Sequence, residues 1–374
     1  MYRRLRRQTL TLWMAIALSF AVTVLSLLIL LVFDVPLDTA LGIAGLVFGL
    51  CTFVLTELRN RDSPRKLIYY IGLDDQVFNA NIIEGLREQL ADGMPNTLKI
   101  LAPPPGHSSS FLDWQELQLG LSELRNAAAV VVAPGDDNEQ VWEAILRLMK
   151  KGVFIVVLDT QPPAAFFTER AAMLPAYVAS DFRVGGEAVG ALIANHVKSH
   201  ENASAVICLG PDGNLAGATR SSWVLYALAR DGILARGIGH PFPSWDLSQI
   251  VPPLVRLIET ELKTSGAVIA YCGDDRVMLE VDKHFRGDFN SLRSRLFLIG
   301  YDGIISNTGQ LVAQDCAFAI ATVDTRPKAQ GEAAAEILRD IYEGKKNEGA
   351  LQRIVAPTLK ELSVTQAMVE VQNA

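Results

Sequence analysis

The sequence is poor in the residues from which metal centres and catalytic triads are built. Its 374 residues include four cysteines and five histidines, and no CxxC, HExxH, GxSxG or GxGxxG motif occurs. His196 and His200 have the i, i+4 spacing of helical metal ligands, but no acid accompanies them, so we expect a solvated helix face. The glycine turn 210–213 lacks the Lys-Ser/Thr pair of a phosphate loop. We therefore expect no enzyme activity, no cofactor and no metal site.

Positive charge is scarce as well. The formal net charge is −7, and the body of the chain has no basic face and no interleaving of aromatic and basic residues. A nucleic acid partner is therefore not expected, and no helix-turn-helix segment precedes residue 66. The length is sufficient for two compact lobes and a membrane anchor.

The cysteines show no pairing pattern. Cys51 lies in a hydrophobic segment, while Cys208, Cys272 and Cys316 each lie in or beside an apolar, strand-like run. We expect these three to be buried, reduced thiols. Because an odd number would leave one thiol unpaired in an oxidising compartment, the count favours a reducing one.

Long hydrophobic runs are confined to the N-terminal part, where two occur close together. Trp13–Phe33 is 21 residues long without a charge, and Leu37–Leu55 is interrupted only by Asp38. Each is long enough to cross a bilayer. Positive charges flank the pair on its outer sides, at Arg3, Arg4, Arg6, Arg7, Arg59, Arg61, Arg65 and Lys66. Residues 1–62 are therefore predicted to form a transmembrane hairpin, with helices at about 13–33 and 37–55 and both ends cytoplasmic.

Two other topologies remain open for this segment. One is a single uncleaved anchor with an external domain. The other is a secretory signal, whose apolar region is usually about 7–15 residues long and precedes small residues at a cleavage site. The first segment here is longer, and the residues at its end are Phe-Asp-Val-Pro instead of small residues. The expected location is the inner membrane with the soluble domain on the cytoplasmic side, and a periplasmic domain is the alternative.

From residue 66 onward, apolar strand-like runs alternate with amphipathic helical patterns. Strands are predicted at 67–71, 98–101, 128–132, 153–158, 205–209, 267–271 and 296–299. Helices are predicted at 79–91, 111–126 and 138–151, and another opens at 185–186. Repeated βα units of this kind predict a doubly wound α/β architecture, and about 300 residues predict two lobes.

Polar residues follow many of these apolar runs, in a recognisable order. They stand in Ile-Gly-Leu-Asp-Asp-Gln-Val-Phe (71–78), Val-Val-Leu-Asp (156–159), Cys-Gly-Asp-Asp (272–275), Gly-Tyr-Asp-Gly (300–303) and Ala-Thr-Val-Asp-Thr-Arg-Pro (321–327). Parallel α/β sheets present ligand-binding groups at the carboxyl ends of their strands. In order and spacing, the pattern resembles the type I periplasmic binding proteins of the ribose/galactose type, over about residues 66–370.

That resemblance implies two Rossmann-like lobes joined by a three-crossing hinge, with a sugar held between them. One lobe would comprise residues 66–180 plus 326–356, and the other residues 181–325 plus 357–374. A sugar ring needs aromatic side chains against its faces and carboxylates, amides and Arg around its rim of hydroxyls. By resemblance, Phe78 stacks on one face of the sugar and Trp245 covers the other.

The rim residues follow in the same way. Burying a carboxylate at a strand end is costly unless it has a partner, and a ligand hydroxyl would serve at Asp159 and Asp302. The residues predicted to contact ligand around the rim are Gln76, Asp159, Arg220, Asp274, Asp302 and Thr325, with Asp75, Asn79 and Thr160 as less certain neighbours. Asp275 is expected to cap the helix that follows it rather than to touch ligand.

Two positions depart from the family pattern. Thr160 stands where the ribose binders have Arg, and Thr325 stands where a Gln is common, so the cleft is richer in carboxylates and poorer in donors. A sugar, a polyol or an aminosugar fits this composition. The expected function is a non-catalytic, membrane-anchored binding protein or sensor. Two alternatives are the substrate-binding component of an ABC importer, working with a permease, and an interaction scaffold with a degenerate cleft.

Overall fold

A computed structural model describes most of the chain from Leu67 onward. The described residues are 36, 39, 67–73, 76–91, 97–101, 103, 111–135, 138–171, 174–211, 215–240, 246–304, 311–343 and 352–362. Residues 66–374 form one compact unit, separate from residues 1–65. Apart from residues 36 and 39, the predicted transmembrane hairpin lies outside the described residues. Among the residues that are described, no helix is both long and apolar enough to cross a membrane.

Twelve strands in the described part of the chain form two six-stranded sheets. The strands are β1 Leu67–Ile71, β2 Thr97–Leu101, β3 Ala129–Val132, β4 Phe154–Leu158, β5 Ala176–Ser180, β6 Ala203–Pro211, β7 Ala235–His240, β8 Ala267–Tyr271, β9 Leu296–Ile299, β10 Ala319–Asp324, β11 Gln352–Val355 and β12 Thr358–Glu361. The first sheet has the order β11-β5-β4-β3-β1-β2, and the second β12-β10-β9-β8-β6-β7. All neighbouring strands are parallel except β12, which is antiparallel to β10.

Helices cover the strands of both sheets. The α-helices are α1 Gln76–Ala91, α2 Phe111–Leu119, α3 Glu139–Lys150, α4 Ala164–Ala171, α5 Phe182–Ser199, α6 Leu215–Arg230, α7 Leu247–Thr264, α8 Asp275–Phe285, α9 Phe289–Leu292 and α10 Pro327–Tyr342. Successive residues of β1 alternate between two buried clusters, with Tyr69 and Ile71 in one and Ile68 and Tyr70 in the other. This double burial explains why the strands read as continuous apolar runs.

The chain passes three times between the two sheets. It leaves the first sheet after β5, returns from β10 to α10, and crosses again between β11 and β12. Helix α10 packs on α1 beside the first sheet, at a distance that Gly85 permits because a Cβ there would collide with the carbonyl oxygen of Lys328. We call the part built on the first sheet lobe 1 and the part built on the second sheet lobe 2.

The predicted alternation of strands and helices is present, with shifts at the element ends. The strands predicted at 67–71, 267–271 and 296–299 have the predicted bounds. The helix predicted at 111–126 ends at Leu119, and a 3-10 turn follows at Ser122–Asn126. The helix expected to open at 185–186 begins at Phe182, because Asp181 caps it by accepting hydrogen bonds from two backbone N–H groups of its first turn.

The three described cysteines are free and buried, as expected. Burial raises the pKa of the Cys208 thiol to about 11 and that of Cys272 well above its usual value. These thiols are therefore protonated at neutral pH, which makes them poor nucleophiles and poor metal ligands.

Candidate functional site

Charged side chains from both lobes meet where the carboxyl ends of the two sheets face each other. Asp159 directly follows β4 in lobe 1, and Asp302 comes three residues after the end of β9 in lobe 2. Arg220 lies in the second turn of α6, the helix that follows β6. In open α/β sheets, this edge is where ligands bind.

Both carboxylates are held by an unusual backbone conformation. Asp159 has a φ of 62° and Asp302 a φ of 98°. At Asp159, the N–H of Thr160 donates to the carbonyl oxygen of Leu158 at 2.7 Å, which closes a tight three-residue turn. Such backbone strain costs on the order of 1–3 kcal/mol per residue and is concentrated at functional sites. Two strained aspartates at facing strand ends therefore mark this edge as a candidate site.

Arg220 connects the two carboxylates. Its Nη1 lies 2.8 Å from Oδ1 of Asp302 in its own lobe, and its Nη2 lies 3.7 Å from Oδ2 of Asp159 in the other lobe. The guanidinium also lies 5.1 Å from the ring centre of Phe182 and 4.6 Å from that of Tyr301. These distances are within the range of cation–π contacts. We call these five residues the cleft cluster.

The cleft cluster has polar atoms with no hydrogen-bond partner among the described residues. They are Oδ1 of Asp159, Nε of Arg220 and the hydroxyl of Tyr301, and each is buried. The hydroxyl of Tyr271 is also buried and has no hydrogen-bond partner among the described residues. Its ring packs edge-on against that of Tyr301, with the ring centres 6.2 Å apart. Because buried polar groups in proteins are nearly always paired, the cluster has donor and acceptor capacity that a hydroxylated molecule could use.

Burial dominates the electrostatics of the two carboxylates. It raises the pKa of Asp159, and the nearby charge of Arg220 offsets part of that rise. It also raises the pKa of Asp302, to about 7, again opposed first by Arg220. Close to neutral pH, the cluster can therefore hold or release a proton.

Asp274, another predicted site residue, has a partner of its own. Its carboxylate caps α8 by accepting the backbone N–H of Arg276 and pairs with the guanidinium of the same residue at 2.6 Å. Burial acts to raise the pKa of Asp274, but the contacts with Arg276 hold it below its usual value. The expectation that Asp275 caps the helix was wrong. Asp275 instead accepts bonds from the Thr322 hydroxyl and the Ile304 N–H.

The two threonines that depart from the family pattern are buried beside the strained aspartates. The hydroxyl of Thr160 donates to the carbonyl oxygen of Pro134 within lobe 1, at 2.9 Å. The hydroxyl of Thr325 lies 3.4 Å from the carbonyl oxygen of Asp302, at the chain crossing after β10. Both hydroxyls thus support the backbone of their own lobe.

The residues predicted near the start of α1 are placed less uniformly. Asn79 is buried, and its side-chain amide bonds to Tyr70 and to both backbone polar groups of Leu73, all in lobe 1. Phe78 is half-buried and packs against the lobe 1 core. Gln76 is the first residue of α1, but its side chain lies outside the description, as do Asp75 and Trp245 altogether. Their ligand contacts, like those of the other predicted site residues, remain predictions.

Phe182 and Tyr301 were not predicted as site residues. Tyr301 stands in the same Gly-Tyr-Asp-Gly run that pointed to Asp302, so the sequence carried a signal for it. Phe182 directly follows the helix cap Asp181 and has no such context.

The described residues contain no group of three His, Cys, Asp or Glu side chains placed to hold a metal ion. The rings of His196 and His200 stack with their centres 5.9 Å apart and contact Phe297, so these two histidines lie partly against the protein rather than on a fully solvated face.

Several solved structures with a similar arrangement of elements are bacterial solute-binding proteins, at low sequence identity. An ABC transporter periplasmic solute-binding protein from Actinobacillus succinogenes with bound D-allose matches at 18% identity and a TM-score of 0.63, over 81% of this chain and 99% of that one. A solute-binding protein from Bacillus halodurans with bound myo-inositol matches at 17% and 0.60, over 83% and 99%. A Caulobacter myo-inositol binding protein matches at 18% and 0.60, over 82% and 97%. The chain has the fold of these proteins. No protein-family model and no curated protein matches the sequence.

Proposed function

We propose that residues 66–374 form a non-catalytic binding module whose two lobes close on a small hydroxylated ligand, a sugar or a polyol. The observation that carries this is Arg220, which is held in lobe 2 by Asp302 and reaches Asp159 of lobe 1 at 3.7 Å. A hydroxylated ligand between the lobes would use the unpaired acceptor of Asp159 and the unpaired donor of Arg220. The ligands named for the matched structures, D-allose and myo-inositol, are of this class.

The proposed module is anchored to the inner membrane by a hairpin in residues 1–62 and acts as a sensor, with lobe closure as the output. The two long apolar runs and the positive charges on their outer sides support this topology. With the module in the periplasm, it would instead be the binding component of an ABC importer, the role named for two of the matched proteins. A reporter fused after Ala374 separates the two, because activity on the cytoplasmic side excludes capture of an external solute.

The binding function is tested by thermal shift of the full-length chain against a panel of sugars, polyols and aminosugars. Ligand at a hundred times its dissociation constant stabilises the native state by about 2.7 kcal/mol. In a domain of this size, that corresponds to a rise in Tm of at least a few degrees. The shift should disappear in Asp302→Ala. A cooperative melt with no shift for any compound would favour the scaffold alternative, whose cleft has lost its ligand.

A further inference from the structure

The buried charges of the cleft cluster do not balance. Asp159 and Asp302 contribute two carboxylates, and Arg220 contributes one guanidinium, which lies 2.8 Å from Asp302 but 3.7 Å from Asp159. Asp274 does not change this count, because Arg276 pairs with it at 2.6 Å. With both carboxylates ionised, the cluster has an excess of one negative charge, and the excess lies at Asp159.

Asp159 is also the carboxylate with the poorest set of contacts. It is 8% exposed, and its Oδ1 has no hydrogen-bond partner among the described residues. Its burial raises its pKa, with Arg220 offsetting part of the cost. A buried, ionised carboxylate is expensive unless a cation or several donors reach it. Among the described residues, Asp159 therefore has no positively charged partner close enough to stabilise its ionised form fully.

The sequence around the cleft does not supply that partner. We consider the segments that join the carboxyl end of each strand from β1 to β10 to the next helix, which after β9 is the 3-10 helix Val312–Asp315. They contain a single basic residue other than histidine, Arg326, and its side chain is exposed. The same segments contain ten aspartates: Asp74, Asp75, Asp136, Asp137, Asp159, Asp181, Asp212, Asp246, Asp274 and Asp302. This edge of the sheets is therefore strongly acidic by composition.

We propose that the ligand is a hydroxylated amine, meaning an aminosugar or amino-polyol whose protonated primary amino group pairs with Asp159. This rests on the proposed function and narrows it to one ligand class. An ammonium group has three donors and a full positive charge. It can therefore donate a hydrogen bond to Oδ1 of Asp159 and also neutralise the excess negative charge. A neutral hydroxyl can donate one hydrogen bond but leaves the charge uncompensated.

The test compares matched pairs of ligands that differ by the amino group. Binding of D-glucosamine against D-glucose, and of 1-amino-1-deoxy-sorbitol against sorbitol, is measured by calorimetry on the full-length chain at pH 7, where both amines are mostly protonated. N-acetyl-D-glucosamine serves as a control that keeps the nitrogen but removes its charge. Because charge-assisted hydrogen bonds are about twice as strong as neutral ones, we expect the amines to bind at least about tenfold more tightly than their neutral partners.

Two variants assign the preference to Asp159. Asp159→Asn keeps the shape and tolerates the positive φ, and it should reduce the ratio between amine and neutral ligand to near one. Asp231→Asn removes the same charge from the residue directly after the end of α6, eleven residues beyond Arg220 and about 16 Å away along the helix axis, and should leave the ratio unchanged. Equal binding of both members of a pair to the unmodified protein would overturn the amine proposal and leave the proposed function standing. Binding of neither class would overturn both.

Discussion

The two lobes have the same strand order around their first strand, but they use their polar side chains differently. In lobe 1, Gln115 bridges the ends of β1 and β3 by donating to the carbonyl oxygens of Gly72 and Ala133 and accepting the N–H of Gly135. In lobe 2, the strands that correspond to β1 and β3 are β6 and β8, and the helix that follows β6 carries Arg220.

The same contrast extends to the neighbouring residues. Asn79 and Thr160 of lobe 1 form their described hydrogen bonds within their own lobe, whereas Arg220 and Tyr301 of lobe 2, like Asp159 of lobe 1, have polar atoms without a hydrogen-bond partner among the described residues. Under the proposed function, we expect lobe 2 to bind the ligand first, and lobe 1 to close on it and contribute Asp159. Three variants can break or sharpen this comparison.

The largest effect is expected from Arg220→Ala in lobe 2. Removing the guanidinium leaves Asp159 and Asp302 buried without a countercharge, and breaking a buried pair in this way typically costs about 3–5 kcal/mol. We expect a drop in Tm of several degrees or more, measured by calorimetry on the ligand-free chain. Lys198→Ala is the matched control, because its pair with Asp231 lies on the surface and should contribute little to stability. Equal effects of the two variants would mean that the cleft cluster is not a stability element.

A smaller, pH-dependent effect is expected from Asp302→Asn. The folded-state pKa of Asp302 is raised from 3.8 to about 7, so its contribution to stability is fully present below 3.8 and is lost as the pH rises through about 7. Asparagine resembles the protonated form at every pH. The Tm of Asp302→Asn relative to the unmodified protein should therefore rise between pH 4.5 and pH 8, by at least about 2 °C. A difference that is flat over this range would contradict the raised pKa.

The sequence predicted the fold better than the site, for a physical reason. The strands of both sheets are buried on two faces, so runs such as 67–71 and 267–271 are visible as apolar segments. Strands β5 and β10 are buried but were not predicted as strands. Strands β7, β11 and β12 were not predicted because they lie at sheet edges and none of their described residues is buried. Periodicity carries little information about such a strand.

Within the site, residues at strand ends were predictable and their contacts were not. Asp159 and Asp302 follow apolar runs, and this pattern predicts that both lie at the carboxyl ends of strands. Arg220 contacts both of them, although they lie 61 and 82 residues from it in the sequence (220 − 159 and 302 − 220). These contacts depend on how the lobes pack, which the local sequence does not show. The pairing of Asp274 with Arg276 depends on a side-chain rotamer at a helix start, which residue type alone does not specify.

The smallest effect on binding is expected from Asn79→Ala in lobe 1, and it tests the comparison from the other side. The alanine removes the side-chain amide that bonds to the hydroxyl of Tyr70 and to the backbone polar groups of Leu73, and losing these hydrogen bonds should cost about 1–3 kcal/mol of unfolding free energy. If lobe 1 uses Asn79 to hold its own loop, ligand affinity should change less than about threefold while denaturant unfolding reports the loss of stability. If Asn79 instead contacts ligand, affinity should fall by more than about tenfold. In that case lobe 1 would contribute a binding amide as well as Asp159, and the expected difference in the roles of the two lobes would be wrong.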